Sequence, residues 1–465
     1  MDTVLLIDHV RLTPILIADP PLLNTQGVHQ PYTPRLIVEV ITRGGVTGVG
    51  ETYGDSAYLE LARPLAEALP GRPVTDVNGL FALAEQVCGG PPAPGPDSKA
   101  APGPDLKAAP GSGPGAAPGR APAAVPAPAP GDGVDAGGLR GVRTAAKLRL
   151  SVVSGFEVAC LDALGKSLGL PVHALLGGKV RDAVDYSAYL FYRWEAHPGA
   201  GERDDWGAAL DPAGVVAQAR RLVAEHGFRS FKLKGGVFEP DLEIAAVHAL
   251  AEAFPGRPLR LDPNGAWSVE TSLYVAERLA GVLEYLEDPA SGVERMAEVA
   301  AGSDVPLATN MCVTTFPEIA PAFARGAVQV VLSDHHYWGG LHRTRELAAV
   351  CRAFGVGLSM HSNTHLGVSL AAMTHVAATV PDLGHACDSH YPWQTEDVIT
   401  TRHVFRDGRI AVTDTPGLGV ELDRERLAAL HRRWLDDDGT LRDRDDAAAM
   451  READPAWVAP AAPRW

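Results

Sequence analysis

Two lysines spaced by one residue, in Phe231-Lys232-Leu233-Lys234-Gly235-Gly236, constrain this chain more than any other feature. The stretch reads as a buried strand, and alternate strand residues share a face, so both ammonium groups point into one cavity. Lysines almost never sit fully buried without partners. The chain downstream supplies polar residues at regular steps: Asp262, Glu287, Asn310, Asp334 and His361. The steps are 28 (262 − 234), 25 (287 − 262), 23 (310 − 287), 24 (334 − 310) and 27 (361 − 334) residues, each long enough for a strand, a loop and a helix.

From Asp211 onward the strand and helix patterns alternate. Asp211-Pro212 signals a helix start and Gly227 its end. Strands are expected over 228–234, 259–261, 283–286, 307–308, 328–332 and 356–359, with an earlier one over 186–192. Repeated βα units with apolar strands imply a parallel sheet covered by helices. A (β/α) barrel is expected rather than an open sheet, because every polar residue of interest falls at the C-terminal end of a strand, where barrel enzymes build their sites.

The rest of the chain frames this unit. Its 465 residues allow two domains. Residues 1 to about 85 read as a small α+β unit, with a polar loop from Pro21 to Tyr32 between its first strands. From about 89 to 138 the composition collapses to Pro, Ala and Gly, with an imperfect repeat (GPDSKAAP, GPDLKAAP). Such a stretch is expected to be a disordered insertion whose deletion leaves activity nearly intact. Residues 139–182 resume a helical pattern with small residues suited to close packing.

A formal net charge of −16 argues against a nucleic-acid or anionic-membrane partner. Five scattered cysteines without a CxxC pair read as reduced thiols of a cytoplasmic protein. The N-terminus lacks the basic region of a signal peptide, and the apolar runs are too short to span a membrane.

Asp262, Glu287 and Asn310 offer three oxygen ligands from successive strand ends, a set that selects a hard cation, Mg²⁺. Glu294 is the alternative for the second ligand if its loop folds back. Holding a substrate carboxylate on such an ion favours abstraction of the neighbouring α-proton. Lys234 is the expected base, since a second lysine and a dication both disfavour its ammonium form, with Lys232 neutralising the carboxylate. His361 backed by Asp334 would supply a second acid/base on the opposite side. The spacing of His361 and His365 also fits a zinc pair, although the glutamate of HExxH is missing. His335 and His336 read as structural or pocket-lining.

These residues resemble the enolase superfamily, and within it the glucarate dehydratase family. The resemblance rests on the lysine motif, Leu261-Asp-Pro-Asn-Gly-Ala-Trp-Ser268, Glu287-Asp-Pro289, Ala308-Thr-Asn-Met311, His361-Ser-Asn363, Asp388-Ser-His390 and Pro416 to Asp423. It implies a modified (β/α)-barrel over about 139–385, an N-terminal α+β capping domain over 1–138, and a C-terminal segment, 386–465, that returns to the cap. It also implies Mg²⁺-dependent dehydration of a hexarate such as D-glucarate or L-idarate to 5-dehydro-4-deoxy-D-glucarate, in an enzyme expected to be a homo-oligomer. By motif match Lys234, Lys232, His361 and Asp334 resemble the catalytic groups, and Asp262, Glu287 and Asn310 the metal ligands. His29, Tyr189, Asn264, Ser362, Asn363, His390 and Arg444 resemble substrate contacts, as do Asn24 and Thr144 on shorter matches. Arg444 alone would read as part of a solvated charge run. The loops after Pro289 and around Asp334 depart from the family pattern. An epimerase on the same scaffold and a non-catalytic binding paralogue are the competing readings.

Overall fold

The computed structural model describes residues 3–88, 133–134, 142–198, 204–461 and 463–465. The Pro/Ala/Gly-rich stretch lies almost wholly outside the described residues.

Three antiparallel strands, β1 (Ile7–Ala18), β2 (Tyr32–Thr42) and β3 (Thr47–Tyr53), form the cap sheet in the order β1-β2-β3. Helices α1 (Ser56–Ala68), α2 (Val77–Cys88) and α3 (Ala145–Leu168) pack together with it. Thr144 starts α3 by accepting the Lys147 N–H at 3.1 Å, and Gly169 ends it at φ +70°. The small residues of α3 let it settle onto β3. A Cβ on Gly50 would lie 1.9 Å from the carbonyl oxygen of Gly155, so only glycine fits there. This helix, read from sequence as the start of the barrel unit, packs against the cap sheet.

Eight parallel strands build the second unit: β4 (Ala183–Phe191), β5 (Phe231–Lys234), β6 (Leu259–Asp262), β7 (Tyr285–Glu287), β8 (Leu307–Thr309), β9 (Val330–Ser333), β10 (Gly357–Met360) and β11 (Cys387–Ser389). They run in the order β10-β9-β8-β7-β6-β5-β4-β11, so the last strand lies beside the first and the sheet curls into a nearly closed barrel. Across the remaining seam the Ser359 hydroxyl donates to the Ala386 carbonyl at 2.9 Å. Between the strands run α4 (Pro212–His226), α5 (Pro240–Ala253), α6 (Val269–Arg278), α7 (Val293–Gly302), α8 (Phe316–Ala324), α9 (Leu341–Phe354) and α10 (Gly367–Ala378). Seven of the eight strands were expected; β11 falls beyond residue 385, within the stretch assigned from sequence to the C-terminal segment.

After β11 the chain returns to the cap. Helix α11 (Arg424–Asp436) lies against β1, with Arg433 donating to the Leu16 carbonyl at 3.0 Å and pairing with Glu396 at 2.7 Å. Helix α12 (Asp446–Ala453) meets the expected polar loop, which folds as a small hairpin pairing Leu23–Asn24 with Gly27–Val28. Gly27, at φ +146°, permits that meeting: a Cβ there would sit 2.5 Å from the Asp446 carbonyl oxygen. Among the described residues no helix is long and apolar enough to cross a membrane, and all five cysteines are free thiols.

Candidate active site

Strand β5 turns Phe231 and Leu233 toward the helices and both lysines toward the barrel axis. Lys232 is fully enclosed, with its ammonium 2.6 Å from Glu287 Oε1, 2.8 Å from Asp388 Oδ2 and 3.2 Å from Asp262 Oδ2, over the ring of Tyr189. Burial works against that charge, yet the carboxylates of Asp388 and Glu287 outweigh it and hold Lys232 well above the ordinary lysine range. Beneath it, Arg260 lies 3.3 Å from the other Asp388 oxygen and 2.7 Å from Glu284, so the barrel axis carries a ladder of alternating charges.

Lys234, one pleat higher, donates to Asp262 Oδ2 at 2.8 Å and to the side-chain oxygen of Asn264. Asn264 adopts φ +53°, a conformation Asn tolerates better than most residues, and its own N–H donates to Asp262 Oδ1 at 3.0 Å.

Asp262, Glu287 and Asn310 stand on adjacent strand ends, all buried. The Asn310 amide donates to Glu287 Oε1 at 2.9 Å. That leaves Glu287 Oε2 and Asn310 Oδ1 buried without a hydrogen-bond donor among the described residues. Two unmet acceptor oxygens, one from a carboxylate and one from an amide, beside the Asp262 carboxylate are what a hard cation satisfies, so these residues fit Mg²⁺. Burial first, and then the charge of Asp262, push Glu287 well above the ordinary carboxylate range, a penalty that a dication would relieve. Asp288 braces the set from behind, accepting the Thr309 hydroxyl at 2.5 Å and the Asn310 N–H at 2.8 Å. Glu294, the alternative second ligand, sits exposed in the first turn of α7.

On the opposite wall His361 follows β10, with Nδ1 3.5 Å from Asp334 Oδ2. That pairing is looser than the dyad expected from sequence, because Asp334 serves several partners. Its Oδ1 lies 2.7 Å from His336 Nδ1 and accepts the His336 N–H at 2.9 Å, while Oδ2 is shared with His365 Nε2 at 3.3 Å and the Tyr53 hydroxyl at 3.3 Å. Burial opposes the Asp334 charge, but His365 and His336 hold it well below the usual carboxylate range. Burial likewise pushes His361 down. His361 and His365 thus converge on one carboxylate from a loop ahead of α10, not from one helix face.

A narrow cleft between cap and barrel is lined by Asn24, His29, Tyr189, Phe191, Lys234, His361, Ser362, Asn363, His390 and Arg444. Seven of the nine residues singled out as substrate contacts are in this lining; Asn264 is not, and lies against Lys234 instead. Arg444 grips Asp446 at 2.9 Å, and the Asn24 amide donates to Asp446 at 2.6 Å. Thr144 is not in the lining; its hydroxyl caps α3. Phe191 and Asp388 were assigned no role from the sequence, yet one lines the cleft and the other holds Lys232.

A family model described as enolase C-terminal domain-like matches residues 214–426. A Streptomyces coelicolor protein named probable glucarate dehydratase is 71% identical over 463 residues, 99% of each chain. Among solved structures, an enolase from Thermobispora bispora complexed with magnesium and formate superposes with a TM-score of 0.87 at 49% identity, over 99% of this chain and 100% of that one. One from Mycobacterium smegmatis complexed with tartrate gives 0.85 at 51% identity, over 99% and 98%. With the barrel, the cap and full-length identity in agreement, the chain belongs to the glucarate dehydratase family of the enolase superfamily and is a dehydratase, a hydro-lyase, of that kind.

Proposed function

We propose that this dehydratase acts on hexaric acids with Mg²⁺, converting D-glucarate and L-idarate to 5-dehydro-4-deoxy-D-glucarate. The observation that carries the reading is one cleft with Lys234 on one wall and His361 on the other, next to the Asp262 carboxylate and the unmet oxygens of Glu287 and Asn310. Its relatives lend support: the 71% identical protein is named for glucarate, and solved neighbours hold magnesium or the diacid tartrate.

Asp262, Glu287 and Asn310 would hold the ion, which when bound stabilises the negative charge that develops on the proximal carboxylate as the α-proton leaves. Lys232, kept charged by its three carboxylates, pairs with the same carboxylate. Lys234 Nζ takes the proton α to it, and Asp262 and Asn264 fix where that nitrogen points. His361 delivers a proton to the departing β-hydroxyl from the far wall, with Asp334 orienting the ring. D-Glucarate and L-idarate differ in configuration at the carbon that loses its proton. Bases on opposite walls suit both epimers.

Incubating the purified protein with Mg²⁺ and a panel of D-glucarate, L-idarate, galactarate and shorter sugar acids, with semicarbazide detection of 2-keto acid, tests the reading. Signal with both D-glucarate and L-idarate is expected. Silence on hexarates with turnover of another acid would move the substrate. Deuterium incorporation from D₂O into an unchanged carbon skeleton would make the protein an epimerase instead.

A further inference from the structure

Asp19 has no part in the chemistry above, yet it is a buried carboxylate beside the cleft. It follows the end of β1 and is 4% exposed. Its Oδ2 accepts the Thr33 hydroxyl at 2.6 Å and lies at ion-pair distance, 3.2 Å, from His29 Nδ1 without hydrogen-bond geometry, while Oδ1 meets no donor among the described residues. A buried anion is costly unless something pairs with it. His29 is the titratable side chain at contact distance, and it lines the cleft. With Nδ1 turned to Asp19, only Nε2 of that ring is left for a ligand.

The surroundings point to what the ligand offers. His390 stacks on His29 with ring centroids 5.9 Å apart and planes 16° from parallel, and both its ring nitrogens are buried without a partner among the described residues. Arg444 lies in the same lining. A group presenting two acceptor oxygens to imidazole and guanidinium donors fits this end, and a carboxylate is such a group. The metal ligands and Lys232 gather around Lys234 instead, so the two ends of the cleft suit the two ends of a diacid.

We infer that Asp19 is a positioning residue for specificity: by pairing its charge with the Nδ1 edge of His29 it holds that ring as a donor to the distal carboxylate, and thereby makes the cleft select dicarboxylates over monocarboxylates. The inference rests on the proposed sugar-diacid reading, and acts as the orienting carboxylate does behind other imidazoles.

The test uses calorimetric titration with Mg²⁺ on full-length Lys234→Ala protein, so that ligands bind without turnover. D-Glucarate is compared with L-gulonate, which carries a hydroxymethyl in place of the distal carboxylate. Adding Asp19→Asn is expected to weaken D-glucarate about tenfold, to leave L-gulonate unchanged, and to add nothing once His29 is already Asn. Equal loss for both ligands, no loss for either, or an undiminished loss in the His29→Asn background would overturn the inference. Absence of any preference for D-glucarate before the Asp19 change would overturn it too. Selective binding by the Lys234→Ala protein with no turnover by the unaltered enzyme would sink the dehydration substrate alone. Should Asp19→Asn fail to fold, Thr33→Val, which frees the same carboxylate, must show the same selective weakening to a smaller degree; without it the inference fails.

Discussion

Lys232 and Lys234 are chemically identical, and the barrel sets them apart through their partners. Lys232 is hemmed in by three carboxylates that keep its proton on, whereas Lys234 faces the cleft with one carboxylate and one amide. Lys234→Ala is therefore expected to lower turnover by roughly 10³-fold or more, within the range of positioned acid–base catalysts. Magnesium titration should show the ion still bound, and loss of metal binding would mean that Lys234 organises the oxygens instead. Asn310→Ala removes one of the two unmet oxygens, so the Mg²⁺ affinity should fall on the order of tenfold with little change in melting temperature. An unchanged affinity would remove Asn310 from the ligand set. The polar residues at strand ends were legible because a parallel barrel presents one per repeat. Asp388 was within reach of the same arithmetic, 27 residues beyond His361 (388 − 361), but Cys387-Asp388-Ser389 has no apolar run to announce a strand. The hub at Asp334 was not legible, since nothing in a linear pattern says that Tyr53 and His365 compete with His361 for one oxygen.

At the scale of elements, the βα alternation gave away the barrel through its apolar strands and capped helices. The loops that aim the site depend on contacts that no local pattern encodes. One is the turn after β5, where Glu243 in the first turn of α5 accepts the N–H groups of Gly236, Val237 and Phe238 at 2.9, 2.9 and 3.1 Å. Burial outweighs those three donors and pushes Glu243 up to about 7 from 4.5. A carboxyl raised in the folded state contributes stability below about 4.5, and that contribution fades as pH rises through about 7. The span corresponds to roughly 3 kcal/mol. Glu243→Gln imitates the protonated carboxyl, so urea unfolding at pH 5 and pH 8 should show a smaller difference in the variant than in the unaltered protein. The same difference in both would place the pH dependence elsewhere.

The whole molecule depends on how the cap meets the barrel, because the cleft takes residues from both. Inside that junction the Arg35 guanidinium of β2 donates to Glu51 Oε1 of β3 at 2.9 and 2.6 Å, and both side chains are fully buried. Glu51 also reaches the barrel, accepting the Leu366 N–H at 3.0 Å and the Ser369 N–H at 2.9 Å where α10 begins. One cap carboxylate thus holds the start of the helix that follows the His361 loop, at the positive end of that helix. Burial opposes the Glu51 charge and Arg35 outweighs it, keeping the group below the ordinary glutamate range. Arg35→Met leaves Glu51 buried without its counter-ion, which should cost about 3–5 kcal/mol in urea unfolding at neutral pH. Arg35→Met with Glu51→Gln removes the stranded charge while an amide still accepts at the helix start, so the double variant should recover part of that loss. If the double variant is as unstable as the single, Arg35 supports the junction through packing on the Tyr53 ring, 4.9 Å away, and the charge of Glu51 is not what joins cap to barrel.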